Sequence, residues 1–310
     1  MKHNEPLKEE TLVDGLTIRL LKEDELESVA RFWTVDIGIP VEVRLFKRWF
    51  IVDPEAFQIV VDKTNRIIAS ATVVKQTEGL FVLGYMSVAK DYRGKGIGRM
   101  LLQRMVQRAS LANYVLSANG SKLSMFEEKG FKREEVGGAL AYIGKFTNQL
   151  DEIPPKGDDM EMIKATVGDA IVSEIGEYDR MVNGFARNVP ILIFDDPTSI
   201  VLVVKQRGKV VGYGRIQPYV HKGAWLGPIY ADDSAAARYL IDSLLRSYAD
   251  KKCTIIFGII SERGQPFANS LGLKFIERLT RCTLKNGSLE FPPSKLDKVY
   301  VFDDPGLAYL

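Results

Sequence analysis

The sequence predicts an α/β (α+β) protein built from two tandem copies of one domain. The length of 310 residues favours two domains. A hydrophobic content of 46% and a charged content of 26% are typical of a globular protein. An internal repeat then relates the two halves of the chain, and both halves place strands and helices in the same order.

The repeat is visible in short matching stretches. Val52-Asp53-Pro54 precedes a β-branched stretch, and Asp195-Asp196-Pro197 precedes another one 143 residues later. At the same offset Asp36 corresponds to Asp179 and Arg44 to Arg187. We therefore expect one domain over residues 1–150, a linker rich in proline and charge over residues 151–158, and a second domain over residues 159–310.

Composition limits the partners and the location. A net charge of +2, from 42 basic and 40 acidic residues, gives no indication of nucleic-acid binding. The two cysteines, Cys253 and Cys282, are expected to be free thiols in a reducing compartment. No uninterrupted apolar stretch is long enough for a membrane span. These observations predict a cytoplasmic protein, and they leave the oligomeric state open.

The first copy alternates between strand and helix patterns. Asp24 can cap the first predicted helix, and Pro40 separates it from the second. Strands are predicted at 16–20, 58–62, 67–75, 80–88, 114–118, 131–135 and 139–146, and helices at 25–35, 42–50, 100–109 and 121–129.

A strand, a glycine-rich turn and a helix follow one another at residues 80–109, with the turn over residues 93–98. The first amides of a helix have no acceptor inside it, and the helix dipole adds positive charge there. Glycines allow a phosphate to approach the backbone closely and permit positive φ angles. Arg93, Lys95 and Arg99 add side-chain charge. We call the turn over residues 93–98 the cradle, and it predicts an anion site.

The spacing of the cradle excludes two common phosphate motifs. A P-loop requires Ser or Thr after its Lys, but Lys95 is followed by Gly96. The dinucleotide motif requires a glycine where the chain has Arg99, and no acidic residue follows at the expected distance.

The cradle resembles the acetyl-CoA motif of the GCN5-related N-acetyltransferase (GNAT) family, Q/R-x-x-G-x-G/A, with Arg93, Gly96 and Gly98 at the defining positions. The order of predicted elements resembles that family's topology in both halves. The resemblance implies two tandem GNAT folds, each a mixed, mostly antiparallel twisted sheet flanked by helices, with one parallel pair after the cradle helix.

The same resemblance implies acetyl-CoA, or another short acyl-CoA, as the cofactor. Its pantetheine would lie along the central strand, and the Val88 amide would be the oxyanion site. Its pyrophosphate would bind the cradle amides. The implied cofactor-binding residues are Met86, Ser87, Val88, Arg93, Gly94, Lys95, Gly96, Ile97, Gly98, Arg99, Asn119 and Phe126.

The sequence departs from the family at one catalytic position. The family pattern N-x-x-A-x-x-x-Y-E-K-x-G-F is matched by Asn119, Glu127, Gly130 and Phe131, but Phe126 replaces the Tyr. That Tyr commonly protonates the departing coenzyme A thiolate, and a phenyl ring cannot do so. A thiol, with a reference pKa of about 8.5, is already a fair leaving group.

The proton acceptor and the acyl acceptor are not fixed by the sequence. Glu78 and Tyr85 are candidate proton acceptors, with Asp36 and Glu42 also near the expected cleft. For each of these side chains, an ordinary surface or packing role is the more common one. The hydroxyl of Ser87 is not expected to be a nucleophile, because the chain has only His3 and His221 and neither is near it in sequence. No metal site is expected.

The second copy repeats the scaffold without the cradle. Residues 235–240 read Ala-Ala-Ala-Arg-Tyr-Leu, and Asp232 and Asp233 stand at the helix start, where they would repel a pyrophosphate. We therefore expect this half not to bind acetyl-CoA. Its predicted strands are 200–205, 210–217, 225–231 and 254–260, and its predicted helices are 168–182, 235–248 and 264–271.

Two stretches, residues 178–197 and 211–232, resemble the acetyltransferase-like domain that follows the catalytic one in YitH-type proteins. Their polar and aromatic side chains are candidates for binding an acceptor, although Asp179 and Arg187 are equally candidates for a structural ion pair. The candidate substrate-binding residues are Asp36, Tyr178, Asp179, Arg187, Arg215 and Trp225.

The leading functional hypothesis is an acetyl-CoA-dependent N-acetyltransferase that modifies the amine of a small metabolite by direct attack. Two alternatives stay open at this point. One is a catalytically weak acyl-CoA-binding or sensing protein, and the other is a protein N-acetyltransferase with the second domain as its recognition module.

Overall fold

The structure is a computed structural model that describes residues 9–108, 111–145, 159–248, 253, 255–304 and 306–310. The predicted linker 151–158 and the predicted element ends at 109, 146 and 254 lie outside the described residues. The chain divides into two compact units. The first contains Met1–Leu116, Thr283–Phe291 and Gly306–Tyr309, and the second contains Ser117–Cys282, Pro292–Pro305 and Leu310. The expected domain boundaries, which follow chain order, stay a prediction.

The first unit places three helices on a twisted sheet. Its strands are β1 (Glu10–Thr11), β2 (Thr17–Leu20), β3 (Phe57–Val61), β4 (Ile67–Thr77), β5 (Leu80–Val88) and the start of β6 (Asn113–Asn119). Its helices are α1 (Leu26–Arg31), α2 (Val43–Val52) and α3 (Ile97–Gln107).

The sheet of the first unit has the predicted mixed topology. Its strands are hydrogen-bonded in the order β1-β2-β3-β4-β5-β6. Neighbouring strands are antiparallel from β1 to β5, and β5 pairs with β6 in parallel through Leu80↔Asn113 to Leu83↔Leu116. The strands β3 and β4 are almost completely buried because helices cover both faces of the sheet. The α/β class, with a mostly antiparallel sheet flanked by helices, is confirmed.

Helix boundaries in the first unit differ from the prediction at two places. The first helix ends at Arg31, and a wider π-helical turn, Phe32–Ile37, follows it up to Gly38, whose φ is +83°. The cradle helix begins at Ile97, three residues earlier than predicted, because Gly96 serves as its N-cap with a φ of +80°. Hydrophobic periodicity detects neither backbone feature.

An ion pair joins strand β2 to the turn before α1. Arg19 Nη1 and Nη2 donate to the two carboxylate oxygens of Glu25 at 2.7 and 2.6 Å, and the Lys22 amide donates to the same carboxylate at 3.0 Å. The hydrogen bond from Arg19 is the main reason that the pKa of Glu25 is lowered. The stabilisation from this ion pair is therefore present above the pKa of Glu25 in the unfolded chain, about 4.3. It is lost as pH falls through the lower pKa of Glu25 in the folded protein.

We expect Glu25→Gln to lower the free energy of unfolding by about 1 kcal/mol at pH 7, because the partly exposed pair loses its charge-assisted bonds. The difference from wild type should shrink below pH 4. Urea unfolding at pH 7 and pH 3.5 measures both values. Glu23→Gln, on an exposed side chain of the same turn, is the control. An equal loss at both pH values would contradict the prediction.

The second unit contains the rest of the chain's regular structure. Its strands, besides the end of β6, are β7 (Lys132–Arg133), β8 (Ala139–Lys145), β9 (Met160–Ala165), β10 (Ile200–Gln206), β11 (Lys209–Tyr219), β12 (Gly223–Ala231), β13 (Ile255–Ser261), β14 (Lys274–Leu284, of which the last two residues fall in the first unit) and β15 (Val299–Val301). Its helices are α4 (Leu123–Glu127), α5 (Ile171–Asn183), α6 (Val189–Ile193), α7 (Ser234–Tyr248) and α8 (Gln265–Ser270).

Two strands in the second unit have partners that chain order does not suggest. The last strand of the N-terminal half, β8, pairs antiparallel with β13 and with β14, both from the C-terminal half. The short strand β15 pairs antiparallel with β12 through Ile229↔Val301 and with β13 through Ile260↔Val301. It therefore lies where β12 and β13, parallel up to Trp225↔Phe257, have separated. A large buried cluster around α7 and β10–β13 forms the core of this unit.

Candidate active site

The cradle in the first unit has the backbone geometry of an anion site. Gly94 and Gly96 have φ values of +78° and +80°, and a Cβ added to either would meet no atom within 4 Å among the described residues. Met100 makes the first bond of helix α3, to Gly96 O at 3.0 Å. The amides of residues 97–99 precede it and have no acceptor within the helix. These amides lie at the positive end of the helix dipole.

Two cationic side chains, Arg93 and Lys95, belong to the same turn. Arg93 Nε donates to Val88 O at 2.9 Å, which fixes the guanidinium between the end of β5 and the cradle. Lys95 Nζ lies 5.3 Å from the centre of the Tyr92 ring. The side chain of Val88 lies 3.7 Å from the Cβ position of Gly98, so the strand end and the helix start are in contact.

A β-bulge interrupts β5 just before the cradle. The register shifts between Thr72↔Gly84 and Ser70↔Ser87, so Tyr85 and Met86 lie opposite a single residue of β4. Tyr85 has a φ of +42°, which is unusual for a residue with a side chain. Its ring makes edge-to-face contacts with Trp33 and Phe46, at centroid distances of 5.2 and 5.0 Å.

Two hydroxyl side chains on β4 hold the bulge. Thr72 Oγ1 donates to Gly84 O at 2.7 Å. Ser70 Oγ accepts from Trp33 Nε1 at 2.8 Å and lies 3.4 Å from Tyr85 O. Both hydroxyls are buried, so their bonds to the carbonyls of the bulge compete little with water. The roles of Ser70, Thr72 and Trp33 are not visible in the sequence, because alternation along a buried strand gives no signal for them.

The Val88 amide is directed away from β4. Ala89 N donates to Ile68 O at 2.8 Å, and successive residues of an antiparallel strand donate alternately to opposite sides. Val88, the neighbour of Ala89, therefore points its N–H toward the other edge of β5. The recorded pairing of that edge with β6 ends at Leu83↔Leu116. The amide chosen from the sequence thus lies next to the cradle, on the edge of β5 that faces away from β4 and beyond the pairing with β6.

These features fit a coenzyme A thioester. Gly94 and Gly96 leave room where a Cβ would otherwise stand, and the helix start offers amides to a diphosphate. The end of β5, beyond its pairing with β6, offers backbone groups to the extended pantetheine chain. Among the described residues, no group of three or more His, Cys, Asp or Glu side chains is placed to hold a metal ion.

The candidate proton acceptors have different surroundings. Glu78 is 87% exposed, is paired with Lys75 at 3.1 Å, and lies in the turn before β5, about 30 Å along the strand from Val88. That distance is too great for direct proton transfer at Val88, so the structure gives the Glu78 assignment no support, and it stays a prediction. Asp36 makes a short ion pair with Arg66. Tyr85, in the bulge itself, is the candidate near Val88.

Asn119 and Phe126 lie in the second unit. Asn119 ends strand β6 and accepts a bond from Ser121 Oγ at 2.8 Å. Phe126 lies on α4, where its ring contacts Phe131 edge to face at 5.8 Å. The packing of this ring is that of a hydrophobic side chain, and its cofactor-binding role stays a prediction.

The second unit uses the corresponding regions differently. Asp233 accepts a bond from the Ala236 amide at 2.9 Å and so caps helix α7 with a carboxylate. Strand β15 bonds to β12 and β13 in the gap that opens between them. Both the helix start and the strand edge are therefore occupied by the chain's own groups.

Asp179 and Arg187 form a buried ion network. Arg187 makes two hydrogen bonds to the Asp179 carboxylate, at 2.9 and 2.5 Å, and approaches Asp303 at 3.3 Å. The side chains of all three residues are 0–2% exposed. Tyr213 also donates to Asp179, at 2.6 Å. The sequence leaves two alternatives for Asp179 and Arg187, binding of an acceptor or a structural ion pair. Their complete burial fits the structural ion pair.

Charge and burial perturb the groups of this network in the expected directions. Burial alone would lower the pKa of Arg187, but the charge and hydrogen bonds of Asp179 raise it well above its ordinary value. Burial, together with the Asp179 charge, raises the pKa of Tyr213. Arg187 therefore stays charged and Tyr213 stays neutral.

The other candidate acceptor-binding residues of the second unit are also enclosed. Arg215 is completely buried, donates to Leu192 O at 2.9 Å and makes a short ion pair with Asp195. Tyr178 donates to Asp232 at 2.8 Å, and burial raises its pKa. Trp225 is 9% exposed and lies 4.9 Å from the Phe257 ring. The sequence suggests a polar pocket here, whereas these side chains are packed in the interior of the unit, so their role in binding an acceptor stays a prediction.

Comparison with known proteins agrees with this geometry. Two family models, each described as an acetyltransferase (GNAT) domain, match residues 45–133 and 175–292. No curated protein matches the sequence.

Several solved structures share the fold at low sequence identity. A candidate acetyltransferase from Pyrococcus horikoshii is similar with a TM-score of 0.73 and 15% identity, over 99% of this chain and 100% of that one. A GCN5-related N-acetyltransferase from Sphaerobacter thermophilus has a TM-score of 0.66 and 16% identity, over 92% and 100%. A tandem GNAT protein from the clavulanic acid biosynthesis pathway has a TM-score of 0.66 and 11% identity, over 89% and 100%.

The fold and the site define an acetyltransferase of the α/β class. The chain belongs to the GCN5-related N-acetyltransferase (GNAT) family, with two GNAT domains in tandem, and the activity of that family is acetyl transfer from acetyl-CoA. In the described part of the chain, no helix is both long and apolar enough to cross a membrane. The cytoplasmic location stays a prediction.

Proposed function

We propose that the N-terminal GNAT domain binds acetyl-CoA, or another short acyl-CoA, and transfers its acyl group to the amine of a small metabolite. The observation that carries this proposal is the open cradle directly beside the end of β5, where the strand continues beyond its pairing with β6. The second unit has a capped helix start and a filled strand edge at the corresponding places, which supports assigning the cofactor to the first.

Each part of the first site has a separate task. The amides of residues 97–99, with Lys95 and Arg99, would hold the diphosphate, and Arg93 would connect the cradle to the strand through Val88 O. The cofactor, when bound, supplies an acyl group activated as a thioester. The Val88 amide would donate to the thioester carbonyl, where negative charge develops during attack.

Positioning is expected to provide most of the acceleration. The bulge, held by Ser70 and Thr72, fixes the backbone between Gly84 and Val88. Holding an amine next to the carbonyl in a fixed geometry contributes up to roughly 7–11 kcal/mol in favourable intramolecular models. Tyr85 is the proposed proton acceptor, while Phe126 cannot act as a proton donor.

The test is acyl transfer to a panel of small amines. Free coenzyme A thiol and acylated product are measured together, the product by mass spectrometry, with acetyl-CoA and with propionyl-CoA. We expect product with at least one small amine at a rate above hydrolysis. Binding of coenzyme A without any turnover would favour the sensing alternative, and turnover only with peptides would favour protein acetylation. Either result would contradict the proposed acceptor class.

A further inference from the structure

A segment distant in sequence lies against the central strand of the first unit. A Cβ added to Gly84 would stand 1.7 Å from Gly306 O, which is far inside any allowed contact. Only glycine at this position lets the carbonyl of Gly306 reach the strand. Leu307, Ala308 and Tyr309, which follow it, are 0–4% exposed. The segment Gly306–Tyr309, which belongs to the first unit, is therefore a fixed part of its interior.

Gln76 lies near the end of β4, and both polar atoms of its side-chain amide bond to the backbone of this segment. Its Nε2 donates to Leu307 O at 2.8 Å, and its Oε1 accepts from Tyr309 N at 3.2 Å. These two bonds match a side-chain amide to a stretch of backbone in the manner of a strand partner. Gln76 and Gly84 thus fix the segment at two points, one by hydrogen bonds and the other by close contact.

The segment covers the face of the sheet on which α2 packs. Gly84 pairs with Thr72, and Thr72 pairs with Phe57, so the Cβ directions of these three residues share one face. The Phe57 ring contacts Phe46 of α2 at 5.4 Å, which identifies that face. The Tyr85 ring also contacts Phe46. The bulge and the segment are therefore neighbours along β5 on the same side of the sheet.

The distance along β5 from the segment at Gly84 to the proposed reaction site at Val88 is short. From Gly84 to Val88, β5 rises no more than about 13 Å, and the bulge shortens this further. An amine that approaches Val88 from the α2 face has the aromatic side chains of Trp33, Phe46 and Tyr85 beside it. Any extension of such a molecule along β5, away from the cradle, would meet the backbone of Gly306.

We propose that Gly306–Tyr309, positioned by Gln76, is the wall that limits how far an acceptor extends along β5, so that the site selects short amines. This inference rests on the proposed function, since it assumes transfer at Val88. It assigns a specificity role to the backbone of Gly306–Tyr309, which is part of neither the cradle nor the bulge. Gln76 is the residue that positions this segment.

The second unit shows the same arrangement independently. Gly227, which follows Gly84 by 143 residues as in the sequence repeat, has its Cβ position 2.5 Å from Phe302 O. There the crossing chain continues from β15, which fills the strand edge. In the first unit the crossing chain meets β5 at Gly84, next to the bulge. A glycine that admits a backbone carbonyl is thus used in both units.

The test uses coenzyme A joined through an acetyl thioether to n-alkylamines from propyl to octyl. Their affinities, measured by calorimetry, report the length that the site accepts without requiring turnover. For wild type, each added methylene should tighten binding by about fourfold until the chain meets the wall, and further methylenes should then add nothing. In Gln76→Ala and Gly84→Ala, which release or displace the segment, the octyl conjugate should bind at least tenfold more tightly than in wild type. In Gln76→Ala, the affinity for coenzyme A itself should stay within twofold.

Gln107→Ala, on an exposed side chain at the end of α3, is the matched control and should reproduce the wild-type profile. If neither variant changes the dependence on chain length, the wall is overturned even though coenzyme A binds. If wild type does not bind coenzyme A, the proposed function itself fails, and the inference fails with it. Far-ultraviolet circular dichroism of each variant verifies that it is folded before its profile is compared.

Discussion

Gly96→Glu is expected to weaken coenzyme A binding by at least about a hundredfold, which corresponds to about 3 kcal/mol. Gly96 has a φ of +80° and caps the cradle helix, so any side chain strains the backbone there. The added carboxylate would also stand at the helix start, where it satisfies the amides intended for the diphosphate and repels its charge. Calorimetric titration with coenzyme A measures the loss.

Gly208→Glu separates the effect of charge in the cradle from the cost of strain. Gly208 has a φ of +77°, and its Cβ position is equally open, but it lies in a turn between β10 and β11. Both variants should lose a similar free energy of unfolding, about 1–2 kcal/mol for the left-handed conformation. Only Gly96→Glu should lose the ligand. Equal affinity in the two variants would remove the cradle from the proposed site.

Arg187→Met should destabilise the second unit by about 3–5 kcal/mol. The substitution leaves the carboxylates of Asp179 and Asp303 buried without their cation, and breaking a buried pair costs far more than breaking a surface one. A methionine fills much of the volume, so the loss reflects charge more than a cavity. Urea unfolding followed by circular dichroism provides the free energy.

The matched control is Arg278→Met, which removes an arginine from an exposed pair with Glu262 in the same unit. Its side chains are 54% and 63% exposed, so we expect a change within about 0.5 kcal/mol. A loss below about 1 kcal/mol for Arg187→Met would contradict the structural role of the network. It would also reopen the alternative that Asp179 and Arg187 bind a ligand.

Local patterns in the sequence were sufficient for the elements that form the cradle. The strand before it, its glycines and the helix after it are contiguous, so periodicity and turn chemistry identify them. The repeat identifies the second scaffold, and the sequence places Asp233 at a helix start, where its carboxylate accepts a bond from the Ala236 amide. The selection of Val88 as the amide at the site came from family resemblance, and the bond alternation at Ala89 agrees with its direction.

Features that depend on long-range pairing were not visible. The pairing of β8 with β13 and β14 joins residues more than a hundred positions apart. Alternation along one strand does not specify which strands lie beside it. The enclosure of Tyr178, Arg215 and Trp225 likewise depends on which elements surround them. A polar residue type alone is equally compatible with a buried network and with an open pocket.

The sequence by itself determined the duplicated α/β scaffold and the position of the cradle, because both depend on residues that are neighbours in the chain. Tertiary structure alone decided that β15 fills the strand edge of the second unit and that Gly306–Tyr309 lies against Gly84 in the first. Both of these contacts bring the end of the described chain onto central strands that precede it by more than sixty residues. Their stability comes from backbone bonds and close packing, which no local pattern of side chains encodes.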